Sequence, residues 1–143
     1  NKYLGFNSRL DELQAGILRI KLTHLDRINK HKRELAEVYF ENLNDSCIKP
    51  YVDPDYLSVF HIFPIRIQDR DGLKSYLKKN GINTDIHYPV PPHRQKGLEG
   101  LIVSNDYPLS QEIHDTILSL PISLIHSKEQ ILGVCKMINN YTK

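Results

Sequence analysis

Residues 5–18 read GFNSRLDELQAGIL, and two messages overlap in them. The first is a helix start. Ser8 followed by Asp11 has capping-box spacing, in which two side chains each take a backbone N–H that the first turn leaves free. Asp11 and Glu12 put negative charge where the helix dipole favours it. Apolar residues then recur at three- and four-residue intervals. Leu10, Leu13, Ile17 and Ile20 make one run, Leu18, Leu22, Leu25 and Ile28 a neighbouring one, and Leu35, Val38 and Tyr39 continue it. That period predicts a long helix over 8–44, with an apolar stripe broad enough to be covered on two sides. Such a helix suits a bridge between two bodies of protein.

The second message is polar recognition chemistry. Asn7 at a helix start has an ordinary reading, because its side-chain oxygen can accept from free backbone N–H groups. The same geometry has a functional reading. A helix N-terminus attracts anions, Asn7 and Arg9 add donors for a phosphate or carboxylate, and Gly5 lets the backbone come close. On the residues alone both readings stand.

Composition narrows the setting. The chain has 143 residues, enough for one domain, and a chain of that length buries about 70% of its unfolded surface. Hydrophobic residues at 40% and charged residues at 25% fit a soluble globular protein. A net charge of +2 without a basic block gives no argument for nucleic acid. No apolar stretch approaches the ~20 residues of a membrane span. Cys47 and Cys135 lack metal or redox spacing and read as reduced structural thiols of a cytoplasmic protein. The sequence begins at Asn1 and its single methionine is Met137, which predicts a piece of a longer protein.

Beyond the long helix the chain reads as alternating short elements. VFHIFPIRI, 59–67, has the aromatic and β-branched content of a buried strand, with Pro64 marking an edge or bulge. DRDGLKSYLKKNG, 69–81, predicts an amphipathic helix on Leu73, Tyr76 and Leu77 that Gly81 stops. INTDIHY, 82–88, alternates and predicts a second strand; SQEIHDTIL, 110–118, a helix; SLPIS, 119–123, a short strand. SKEQILGVCKMINNY, 127–141, predicts a last helix with Ser127 and Gln130 as a capping box. The expected fold class is α/β (α+β): a long N-terminal helix, then a small sheet of two to four strands packed with helices over 46–143.

Between the second strand and the third helix lies PVPPHRQ, 89–95, whose three prolines deny it a regular ladder. A stiffened loop can present side chains at little entropic cost, and His87, Tyr88, His93 and Gln95 all hydrogen-bond. The plain alternative is a rigid surface loop with incidental polar residues. His87 and His93 make a poor zinc pair, because no Cys, Asp or Glu stands nearby at ligand spacing, so no metal is expected. The remaining histidines read as structural or solvated, and neither cysteine has an activating neighbour. No phosphate-cradling glycine motif is present.

Three stretches together, GFNSRLDELQAGIL, GINTDIHYPVPPHRQ and DYPLSQEIHDTILSLPIS with HSKEQI, resemble in order and spacing the C-terminal third of the sugar aminotransferases of the DegT/DnrJ/EryC1/StrS family. The resemblance covers essentially the whole chain. It implies the small C-terminal domain of a fold-type I, pyridoxal-phosphate-dependent enzyme that aminates a nucleotide-linked keto-sugar. It also implies a homodimer with shared active sites and an amino donor, commonly glutamate, with amino-sugars as products for surface polysaccharide or a glycosylated metabolite. By the resemblance Asn7 is a cofactor-phosphate ligand of the neighbouring subunit, and Arg9 lies beside it. His87, Tyr88, His93 and Gln95 belong to a loop that closes over the nucleotide-sugar. Pro92 stands before His93 where the family usually has an aliphatic residue, while Gln95 matches. The family's Schiff-base lysine, the aspartate that pairs with the pyridine nitrogen and the stacking aromatic lie upstream. Residues 1–143 alone are therefore expected to be inactive and to hold no catalytic residue. Two other outcomes stay compatible: a non-catalytic nucleotide-sugar-binding or regulatory module, and a sugar dehydratase relative in which histidine replaces the lysine.

Overall fold

Where local signals are strong, the helices follow them. The computed structural model describes residues 10–98, 101–102 and 107–143. Helix α1 spans Glu12–Leu22, α2 Leu25–Asn42, α3 Arg70–Lys79, α4 Pro108–Thr116 and α5 Lys128–Tyr141; strands β1, Phe63–Arg66, and β2, Ile117–Leu120, form one antiparallel pair. The capping box of α5 is complete: the Ser127 hydroxyl accepts from Gln130 N at 3.3 Å, and Gln130 Oε1 accepts from Ser127 N at 2.9 Å. Asp69 caps α3 by accepting from Gly72 N, and Gly81 follows that helix at a φ of 77°, a left-handed conformation glycine adopts freely.

The long helix expected over 8–44 is two helices. Leu10 lies outside regular structure and Asp11 takes the N-cap of α1 without a side-chain cap bond, so helix begins later than a Ser8 cap would set it; Ser8 itself lies outside the described residues. A turn at Thr23 and His24 then separates α1 from α2. The Thr23 hydroxyl donates to Ile20 O at 2.7 Å and His24 N donates to Lys21 O, a three-residue step that tightens the backbone out of the α-helical ladder. The two halves have different surroundings. None of the residues of α1 is buried, whereas α2 sends Leu35, Ala36 and Tyr39 into the core.

The strands are shorter than their sequence patterns suggest. Of 59–67 only Phe63–Arg66 pairs, because Phe60 turns the chain at a φ of 46° and packs its ring on Phe40 and Phe63. Of 82–88 only Asp85 joins the sheet, as an isolated bridge to Ser119. The Ile86 N–H, which points away from β2, is taken by Asp85 Oδ1. The third strand starts at Ile117, directly after α4, and ends before Pro121, which has no N–H to donate. The proline loop contains a 3₁₀ turn, Pro92–Arg94, instead of being wholly irregular.

The core joins α2, α3, α5 and the sheet around Leu35, Tyr39, Phe63, Ile65, Leu73, Leu77, Leu118, Ile131 and Ile138, all fully buried. Phe63 is its hub, stacking on Tyr39 at 4.6 Å between ring centroids and meeting Phe40 edge-on at 5.1 Å. The Tyr39 hydroxyl donates to Pro121 O at 2.7 Å, so a buried polar atom is satisfied at the end of β2. Cys47 and Cys135 are buried free thiols, and burial raises the pKa of Cys135 to about 11 and that of Cys47 in the same direction. Both are core packing groups and not nucleophiles.

A set of amides fastens the two ends of this body together. Asn139 Oδ1 accepts from Asn44 N at 3.0 Å, Asn139 Nδ2 donates to Asn42 O at 2.8 Å, and Asn44 Nδ2 donates to Thr142 Oγ1 at 2.8 Å. The last carbonyl of α2, Asn42 O, thereby finds a partner on α5.

Candidate functional site

Strand β2 carries ILSL, and its one hydroxyl, Ser119, sits between two buried leucines. A hydroxyl in that setting needs a hydrogen bond. It finds one on the segment that crosses the outer edge of β2. Asp85 and Ser119 exchange backbone bonds, Asp85 N to Ser119 O at 3.2 Å and Ser119 N to Asp85 O at 2.7 Å. Two residues further along an extended chain, His87 returns to the same face. Its Nδ1 lies 2.9 Å from Ser119 Oγ. Asp85 Oδ2 stands 3.9 Å from His87 Nε2, a contact that attracts only when the ring is protonated.

These residues line an open groove of about 410 Å³ together with His61, Asn83 and Thr84. The Thr84 hydroxyl is buried and has no hydrogen-bond partner among the described residues. The groove thus offers the His87 imidazole, a group that suits the oxygens of a sugar or a phosphate. Among the described residues no cluster of His, Cys, Asp or Glu could hold a metal ion, and no helix is long and apolar enough to cross a membrane.

The other residues singled out in the sequence take separate positions. Tyr88 is exposed, with its ring edge-on to His87 at 5.4 Å between centroids. His93, in the 3₁₀ turn, packs on the ring of Tyr107 at 5.1 Å, so the α4 N-cap residue holds the far end of the proline loop. Gln95 Nε2 reaches back to Val90 O at 3.5 Å, a long bond across the base of the loop. Of these four only His87 lines the groove. Asn7 and Arg9 lie outside the described residues. Reading the sequence misses Ser119 and Thr84; the available signal is the lone hydroxyl in an otherwise apolar strand, which asks for a partner.

Comparison with known proteins adds what the geometry leaves open. A model of the DegT/DnrJ/EryC1/StrS aminotransferase family matches residues 1–139. The chain belongs to that family. Over 142 residues it is 42% identical to the dTDP-3-amino-3,6-dideoxy-alpha-D-galactopyranose transaminase of Aneurinibacillus thermoaerophilus, covering 99% of this chain and 39% of that protein. The dTDP-3-amino-3,4,6-trideoxy-alpha-D-glucose transaminase of Streptomyces venezuelae is 37% identical over 142 residues, 97% of this chain and 38% of its own length. The crystal structure of S. venezuelae DesV superposes with a TM-score of 0.90 at 36% identity, covering 99% of this chain and 39% of that one. The chain therefore spans about 39% of the length of the aminotransferase-family relatives it matches.

Proposed function

We propose that this chain is the C-terminal, small domain of a pyridoxal-phosphate-dependent aminotransferase that converts a nucleotide-linked keto-sugar into an amino-sugar, with glutamate as amino donor. The observation that carries this reading is the 42% identity, over nearly the whole chain, to a dTDP-amino-sugar transaminase. The protein works in the cytoplasm as a homodimer with shared active sites, and its products serve polysaccharide or glycosylated-metabolite biosynthesis. Support for an assembly comes from α1, whose large apolar residues Leu13, Ile17, Leu18, Ile20 and Leu22 are exposed.

The residues of this chain bind and orient. Among the described residues helix α1 has no side-chain cap bond at its start, where first-turn N–H groups can serve an anion, and Asn7 and Arg9 lie a few residues before it in sequence. That end fits the phosphate of pyridoxal phosphate, held in the neighbouring subunit. When bound, the cofactor supplies the electron sink and nitrogen carrier that amino transfer needs. His87 meets the nucleotide-sugar at the groove, the exposed Tyr88 meets it beside the groove, and His93 and Gln95 shape the loop that covers it. No residue of 1–143 is assigned proton transfer, and the chain alone is inactive.

The test uses the full-length enzyme, pyridoxal phosphate, glutamate and dTDP-linked keto-sugar, with the two half-reactions followed separately. Asn7→Ala weakens cofactor retention by about tenfold or more, as expected for loss of a hydrogen bond to a charged group. Unchanged cofactor affinity removes Asn7 from the phosphate site. His93→Ala raises KM for the sugar and leaves the half-reaction with glutamate intact. Equal damage to both half-reactions makes the loop a structural element only, and no amino transfer by the wild-type enzyme overturns the reading as a whole.

A further inference from the structure

We infer that Ser119 is a positioning residue that fixes both the orientation and the proton of His87, so that His87 presents its Nε2–H as a donor to the nucleotide-sugar. This rests on the substrate-groove reading above and assigns a role that reading does not contain.

Ser119 is only 5% exposed and is flanked by Leu118 and Leu120 in β2. A buried hydroxyl must place its proton, and among the described residues its one side-chain partner is His87 Nδ1 at 2.9 Å. Ser119 therefore donates to Nδ1, and a neutral imidazole whose Nδ1 accepts carries its proton on Nε2. The backbone pairing of Ser119 with Asp85 holds the two segments in register, so the ring is fixed from the strand as well as from the side chain. Asp85 Oδ2, at 3.9 Å, is too far from Nε2 to take its hydrogen bond. That leaves the Nε2–H for an acceptor in the groove. A phosphate, hydroxyl or keto oxygen can accept from an N–H of this kind. Tautomer control by the atom on the far side of a histidine is the same logic that orients metal-bound and catalytic imidazoles.

A thermodynamic cycle on the full-length enzyme tests it. Ser119→Ala raises KM for the nucleotide-sugar by about tenfold, the size of one lost orienting hydrogen bond, with the glutamate half-reaction unchanged. His87→Ala raises it at least as much, and Ser119→Ala added to His87→Ala has no further effect, because the serine acts only through the ring. If His87→Ala raises KM but Ser119→Ala does not, or if the two effects add, the positioning role is overturned while the groove remains the substrate site. If neither variant moves KM, the groove reading fails and takes this role with it. Nitrogen NMR of ¹⁵N-histidine-labelled wild-type enzyme gives an independent check that needs no variant to fold. The Nε2–H tautomer is expected for His87, and the Nδ1–H tautomer would overturn the proposal.

Discussion

Ile17→Asp in the full-length enzyme is expected to break the assembly and lower amino transfer by about 100-fold or more, because an unpaired buried carboxylate costs several kcal/mol. Helix α1 is regular and buries none of its residues: Leu13 is 83% exposed, Ile20 67% and Ile17 57%. An α-helix with large aliphatic side chains on more than one face and nothing over any of them is stable in water only when another surface covers it. Under the reading proposed here that surface is built by the large domain and the second subunit, and the same helix begins at the cofactor phosphate. Misplacing α1 therefore loosens the dimer and the cofactor together. Light scattering coupled to gel filtration reads the first effect and cofactor absorbance the second. A variant that keeps the wild-type mass and full activity would show that Ile17 faces water in the enzyme too.

Phe63→Ala produces the largest loss of stability within the domain, about 3–5 kcal/mol, from lost transfer energy and the cavity left at a site that cannot collapse. The ring is fully buried, stacked on Tyr39 and enclosed by Phe40 and Phe60, so its removal strips contacts from three other aromatic side chains at once. Native domains are stable by only about 5–15 kcal/mol, so this single change consumes a large share. Urea unfolding followed by tyrosine fluorescence measures it. A loss below about 1 kcal/mol would mean that the aromatic cluster repacks around the gap.

These expectations differ in how far the sequence alone supports them. The capping box at Ser127 and Gln130, the cap at Asp69 and the stop at Gly81 are local chemistry, and each is legible because its partners lie within four residues. The break at Thr23 and His24 hides inside an unbroken apolar period, since a hydroxyl returning to Ile20 O leaves no mark on periodicity. Strand lengths were equally hidden. Alternation in INTDIHY predicts a ladder, but only Asp85 pairs with β2, and β2 ends at Pro121, which has no N–H to extend the pairing. The site shows the same division. His87, as a polar group beside a proline-stiffened loop, could be picked out from its neighbours in sequence. Its contact with Ser119, 32 positions away, depends on how the outer segment crosses β2 and could not.

The amide clasp at the base of the body has one more consequence. Asn44 and Thr142 are 98 positions apart and touch, and Asn139 binds the backbone at both Asn42 and Asn44. The chain enters the body and comes back to the same spot. In engineering terms the two ends of segment 44–142 already meet, so a short linker could join them and open new termini elsewhere without spanning a gap, provided α2 stays to supply Leu35, Ala36 and Tyr39 to the core.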